Sequence, residues 1–242
     1  MSNSRRFVYG IDGRVFTSNN KIFDFLSAYP PMDSMALWLR ADAGIVKDGD
    51  NRVAEWQDQS VNNYHVEQGD QSNKPLLVNS ELNGKPVLRF NGSQYLQRAF
   101  DQVFSQPNTF FCVWNVSTPS QTPFAFGGIN SSNRNSLYWD GSVTALAGTA
   151  AQLRYSKVAP FSPIVNSVIF NHGSSQLYEN GIFMHSANPG NHNTAGITIG
   201  DRWDLSRGLI GDIFEIIFYN SLLSDTQRQS VENYLMNKYA LL

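Results

Sequence analysis

The stretch that most constrains this chain is its C-terminal end, from Ser206 to Tyr239. Between Leu209 and Tyr219, β-branched and aromatic residues fill both alternations: Ile210, Phe214, Ile216 and Phe218 on one face, Ile213, Ile217 and Tyr219 on the other. Such a run reads as a central strand covered on both sides. After Asn220-Ser221 and Leu222-Leu223, the Ser224-x-x-Gln227 pattern can form a capping box, in which the hydroxyl accepts from the third helical N–H and Gln227 reaches back. Val231, Tyr234, Leu235 and Lys238 then recur at helical spacing, which predicts an apolar stripe with Arg228, Glu232 and Asn233 facing water. The chain should therefore end in a buried strand closed by one helix.

Upstream, short β-prone runs alternate with turn signals. The expected strands are Ala36 to Ala41, Arg52 to Trp56, Pro86 to Phe90, Gln94 to Gln97, Phe110 to Ser117 and Pro123 to Gly128. They continue with Ser136 to Trp139, Ser142 to Leu146, Gln152 to Tyr155, Pro163 to Asn171, Gln176 to Glu179, Ile182 to His185 and Ala195 to Gly200. Asn83-Gly84, Asn91-Gly92, Asp140-Gly141 and Asn180-Gly181 mark tight turns, Asn180-Gly181 being the clearest type I′ pair. Residues 64 to 81 read as polar and irregular. With no βαβ alternation, this pattern predicts an all-β, two-sheet antiparallel jelly-roll sandwich with one C-terminal helix. At 242 residues and 41% hydrophobic content, one large domain can bury a sizeable core.

The N-terminal residues read differently. Residues 7 to 17 place Asp12-Gly13 between two β-prone runs, a hairpin signal, and Asn20 can cap a short helix carrying Ile22, Phe25, Leu26 and Tyr29 before Pro30-Pro31 stops it. So short an amphipathic helix is not stable alone. Two outcomes stay open: an arm folded back on the domain's own sheet, or a docking arm, residues 1 to 33, that anchors residues 34 to 242 to another chain.

Four stretches carry a family resemblance. Leu37 to Gly44 (LWLRADAG), Trp56 to Asn63 (WQDQSVNN), Gly84 to Leu96 (GKPVLRFNGSQYL) and Leu177 to Ile182 (LYENGI), together with the closing strand and helix, occur in the order seen in laminin-G-like, concanavalin A-like lectin-glucanase jelly-roll modules. The chain resembles those modules, of the kind found in bacterial and phage surface proteins, across roughly residues 34 to 242. The resemblance implies the sandwich; the fold hosts lectins, hydrolases and inert structural domains alike. In the resembling family the Asp58 to Asn63 loop packs near the sheet edge. Asp58 and Gln59 offer oxygens there to a hard cation such as calcium, against the alternative that Asp58 caps a turn.

Charge and motif searches narrow the function. A net charge of −2 with scattered Lys and Arg provides no basic field for a nucleic acid. No apolar run approaches the ~20 residues of a membrane span, and Met1 to Gly13 lacks the apolar core of a signal peptide, so synthesis in the cytoplasm without membrane insertion is expected. Cys112 lies inside an apolar run and reads as a core residue. His65, His172, His185 and His192 show no metal-ligand spacing, and there is no G-x-S-x-G elbow. Asp212 and Glu215 are the nearest approach to a glucanase carboxylate pair, but three residues apart on a regular strand they point to opposite faces.

Binding is better supported than catalysis. Trp139 beside Asp140-Gly141, and Trp203 with Asp201 in Gly200 to Asp204, place tryptophan among polar partners at a strand end or loop, the arrangement that stacks on a pyranose face and satisfies its hydroxyls. Trp38, Trp56 and Trp114 lie within strand patterns and read as core. The expected protein is a non-catalytic, surface-displayed structural or adhesion component with a lectin-like sandwich. A phage virion part (capsid decoration, fibre or tail-associated) docked through its arm to an assembly protein or to further copies fits best. The alternative is a free-standing carbohydrate-binding module or glycoside hydrolase accessory domain. No cofactor is expected beyond that calcium alternative.

Overall fold

The computed structural model describes residues 8–9, 15–16, 22–23, 29–119, 122–148, 152–157 and 159–241. The strand Ile210–Tyr219 is the spine of one sheet. From Ile213 to Tyr219 it pairs antiparallel with Asn108–Trp114; on its other edge Lys85–Asn91 takes the first half and Met35–Arg40 the second. Ile164–Phe170, Ser175–Glu179 and Ile182–Ala187 extend the sheet beyond Asn108–Trp114, and Leu76–Leu82 extends it beyond Lys85–Asn91. The facing sheet runs Leu153–Ser156, Ser142–Ala147, Asn135–Trp139, Phe124–Gly127, Thr194–Ile199, Leu96–Phe104, Val66–Glu67, Val53–Trp56, Ile45–Lys47. The two-sheet antiparallel sandwich expected from the turn spacing is the fold.

Between the sheets, Phe110 stacks on Phe126 of the facing sheet at 5.1 Å and on Phe218 at 4.4 Å, so aromatic rings bridge the layers. A second core lies on the outer face of the spine sheet, where the helix Asp225–Tyr239 packs Val231, Tyr234, Leu235 and Tyr239 onto Phe111, Phe214, Ile217 and Tyr219. The capping box forms as expected, with Ser224 Oγ accepting from Gln227 N and Gln227 Oε1 accepting from Ser224 N.

The spine strand departs from its sequence pattern at one point. Its register shifts between Ile213, opposite Trp114, and Glu215, opposite Val113, which leaves Phe214 as an extra residue. This bulge reverses the alternation. Ile213 joins Ile216 and Phe218 in the sandwich core, and Phe214 joins Ile217 and Tyr219 under the helix. It also brings Asp212 and Glu215 to the same face, correcting the expectation of opposite faces: Asp212 accepts from Arg89 at 2.7 and 3.0 Å, and Glu215 lies beneath the helix.

Other expectations need correction. Arg228 and Glu232 do not face water; they form a buried ion pair at 2.6 Å, with the guanidinium 3.8 Å over the Tyr178 ring. The helix is covered on its flank as well as its stripe, there by Tyr178 of the strand Ser175–Glu179. Residues 64 to 81 are not irregular, since Val66–Glu67 and Leu76–Leu82 are strands, and Leu96–Phe104 far outruns the expected Gln94 to Gln97. Ile22–Phe23 is a strand rather than part of a helix. It pairs with Val15–Phe16, which pairs in turn with Val8–Tyr9, giving a three-stranded antiparallel sheet. The hairpin pairing expected there is present; Asp12-Gly13, Phe25 and Leu26 lie outside the described residues. β-Branched and aromatic residues gain more from a third strand than from a helix of two turns. Tyr29 is exposed and meets Trp38 edge-on at 6.1 Å. Among the described residues no helix is long and apolar enough to cross a membrane.

Candidate functional site

Strand alternation decides which side chains of the facing sheet look away from the core. Leu137, Val143, Ala145 and Ala147 point inward, which turns Ser136, Tyr138 and Leu146 outward. Phe124 joins them, its ring stacked on Tyr138 at 4.5 Å. Over this surface folds the loop that precedes the spine strand, and its close approach depends on missing side chains. A Cβ on Gly127 would stand 3.0 Å from Trp203 N and 3.1 Å from Arg202 Cα. Asp201 fixes the loop from beneath, where Oδ1 accepts from the backbone N–H of Arg202 at 2.6 Å and of Arg207 at 2.8 Å. Burial holds the Asp201 carboxyl above its ordinary range despite these bonds.

Sheet and loop enclose an open cleft of about 290 Å³ lined by Phe124, Tyr138, Asp140, Trp203 and the arginines Arg134, Arg202 and Arg207. Trp203 is half-buried, with the Arg202 guanidinium 5.5 Å from its ring centre. Gln152 Nε2 donates to the Tyr138 hydroxyl at 3.0 Å, and burial, with the Asp140 charge, pushes the phenol up to about 12. Tyr138 is therefore a hydrogen-bonding phenol throughout the physiological range.

Two of the four sequence candidates meet here. Trp203 and Asp140 line the cleft; Asp201 is 3% exposed and positions the loop. Trp139 is turned the other way, packs against the sandwich core and donates from Nε1 to Lys157 O at 3.0 Å. Sequence reasoning missed Tyr138, Phe124 and the arginines. The alternation that makes Trp139 inward makes Tyr138 outward, so the signal for Tyr138 was present; Arg134 comes from one loop and Arg202 and Arg207 from another, and no local pattern joins them.

The other candidates have structural employment. Asp58 accepts from Trp38 N and Ser60 N at 2.8 Å, from Ser60 Oγ at 2.7 Å and from Tyr64 N at 3.0 Å, so its carboxylate caps the turn. Gln59 donates to Gln57 O at 2.9 Å. Among the described residues no three His, Cys, Asp or Glu side chains cluster as metal ligands. Glu215 is fully buried and accepts from Trp38 Nε1 and Lys238 Nζ at 2.6 Å and from the Tyr234 and Tyr239 hydroxyls at 2.9 Å. With Asp212 at 2% exposure, neither carboxylate of that pair reaches solvent. Burial pushes the Cys112 thiol well up, which suits a core residue and not a nucleophile. Among the described residues Asp140 is the one carboxylate lining the cleft, where the usual chemistry of glycoside hydrolysis uses a pair.

No protein-family model and no curated protein sequence matches the chain. Solved structures do. A sialidase from Trypanosoma rangeli, in complex with sialic acid, superposes with a TM-score of 0.58 at 12% identity over 86% of this chain and 33% of that one. Domain 4 of AbnA, an extracellular GH43 arabinanase from Geobacillus stearothermophilus in complex with arabinotriose, gives 0.57 at 17% identity over 80% and 96%. A GH54 arabinofuranosidase gives 0.61 at 12% identity over 78% and 51%. The likeness is one of fold. The chain spans about a third of the length of the sialidase it matches.

Proposed function

We propose that this chain is a non-catalytic carbohydrate-binding sandwich displayed on a surface assembly, a phage virion in the form of a capsid decoration, fibre or tail-associated part, and attached through residues 1 to 33. The observation that carries the binding half is the cleft itself. A half-buried Trp203, the Tyr138 hydroxyl and the Asp140 carboxylate stand around one open volume on the outer face of a sheet. An aromatic face with converging polar groups is what a pyranose ring requires. That the sialidase and arabinanase structures sharing the fold are complexes with sialic acid and arabinotriose supports this reading.

A glycan array probed with the full chain and with Trp203→Ala tests it. Binding of at least one glycan class, weakened about tenfold or more by the substitution, is the expected result. An array without hits, or hits indifferent to Trp203, would sink the reading. The match to 96% of a single arabinanase domain favours one second reading, an accessory domain of a larger carbohydrate-active protein. In that case the chain binds glycan without entering any assembly.

A further inference from the structure

The cleft carries an imbalance of charge that sugar binding alone does not require. Arg134, Arg202 and Arg207 line it against Asp140, in a chain whose net charge is −2. Asp140 is already engaged by Arg154, at 3.4 Å, and by Thr144 Oγ1, at 3.1 Å. Arg202 shares Asp204 at 3.4 Å. Asp201 lies beneath the loop with Oδ1 taken by two backbone N–H groups. Among the described residues this leaves Arg134 and Arg207 without a carboxylate partner. Two cleft side chains also hold buried N–H groups with no protein acceptor, Nε of Arg134 and Nε1 of Trp203. Buried donors in folded proteins normally have acceptors, so the cleft is short of acceptor oxygens and of negative charge together.

From this we infer that the cleft takes an acidic sugar, its carboxylate received by the cleft arginines, Arg134 foremost, while its ring lies against Trp203. The inference rests on the sugar-binding reading and narrows it to a substrate class. A planar carboxylate matches the fork of a guanidinium and forms charge-assisted hydrogen bonds that a neutral hydroxyl cannot. An arginine group confined to one aromatic-lined cleft, on an otherwise acidic molecule, does not track a polyphosphate backbone.

The test is an array presenting uronate-type and other carboxylated glycans as free acids and as methyl esters, beside neutral glycans. It is probed with the full chain, Trp203→Ala, Arg134→Gln and Arg207→Gln. Free acids should bind about tenfold or more above their esters. That preference should fall with added salt and shrink in both arginine variants, while Trp203→Ala weakens acid and ester together. Arg207 is exposed, so its variant keeps the test informative if Arg134→Gln disturbs folding. Equal binding of acid and ester, or a preference untouched by both arginine substitutions, overturns the inference. Hits on neutral glycans that depend on Trp203 but show no acid preference do the same while leaving the sugar site standing; no hits of any kind remove both.

Discussion

Phe218 sits in a nest of rings, stacked on Phe110 at 4.4 Å and edge-on to Phe104 at 5.3 Å, and Phe214 meets Tyr239 at 5.5 Å on the opposite face. Each is fully buried, so Phe218→Ala and Phe214→Ala should each lower stability by about 3 to 5 kcal/mol in chemical denaturation. Small losses at both would mean that neither core is closed around the strand. Arg228 is the residue whose cost the sequence pattern gets wrong. On a helix wheel it belongs to the wet face, yet its side chain is 4% exposed and paired with Glu232 at 1%. Arg228→Ala should therefore cost about 3 to 5 kcal/mol, because it strands a buried carboxylate. The pH dependence has a definite sign. Burial pushes the Glu232 carboxyl up and Arg228 opposes that push; the folded value stays above the unfolded one. A carboxyl raised by folding destabilises progressively as pH climbs from the ordinary carboxylate range through its folded value. Removing Arg228 deepens that fall, so the variant's deficit should be larger at neutral pH than in mild acid, where Glu232 is protonated in both states. Urea melts of the two proteins at both pH values check this, and a pH-independent deficit would refute it.

At the scale of elements, what could be read from the sequence was whatever local chemistry alone decides. Asn83-Gly84 and Asn180-Gly181 take positive φ at both positions, 47° and 69° in the first and 47° and 78° in the second, as a type I′ turn demands. The Ser224 cap was equally legible. Ser224→Ala should lower stability by about 1 kcal/mol, and Ser224→Gly by only a few tenths, since glycine tolerates the cap backbone that alanine does not replace. Equal losses would argue that the hydroxyl matters for something other than the cap. Leu76–Leu82 was not legible, because an edge strand keeps polar Asn79, Ser80 and Glu81 that blur its alternation. The bulge at Phe214 was hidden for the opposite reason: in a run apolar on both faces, a slip of one residue leaves no polar residue out of place. The candidate site divides the same way. Trp203 and Asp140 announced themselves beside glycine and acidic neighbours, whereas Trp139 and Tyr138 could be told apart only by the phase of their strand. Arg134 and Arg207 converge through a loop path that no local rule fixes.

For the whole molecule the open question is whether residues 1 to 33 belong to the sandwich or merely adjoin it. Val8–Tyr9, Val15–Phe16 and Ile22–Phe23 pair with one another in a sheet of their own, and among the described residues no strand of the sandwich takes them as a partner. The sandwich, by contrast, secures the chain from Pro31 onward. Tyr219 donates from its hydroxyl to Pro31 O at 2.8 Å, Asn220 N donates to Ser34 O at 3.0 Å, and Met35 then enters the strand beside the spine. Just before that junction Tyr29 meets Trp38 edge-on and Pro30 is buried. Among the described residues, a cut after residue 28 therefore removes no strand from either large sheet and no member of either core. The truncated chain should keep a cooperative thermal transition within a few degrees of the full one. If the segment is an attachment element, the same cut should abolish incorporation into the parent assembly, or self-association when the partner is another copy, as read by light scattering after size-exclusion chromatography. Three two-residue strands are too small to persist as an independent domain, and that is the reason to expect them to be completed by a partner's surface. An unfolded truncation would show instead that the segment is part of the sandwich, and the docking proposal would fail with it.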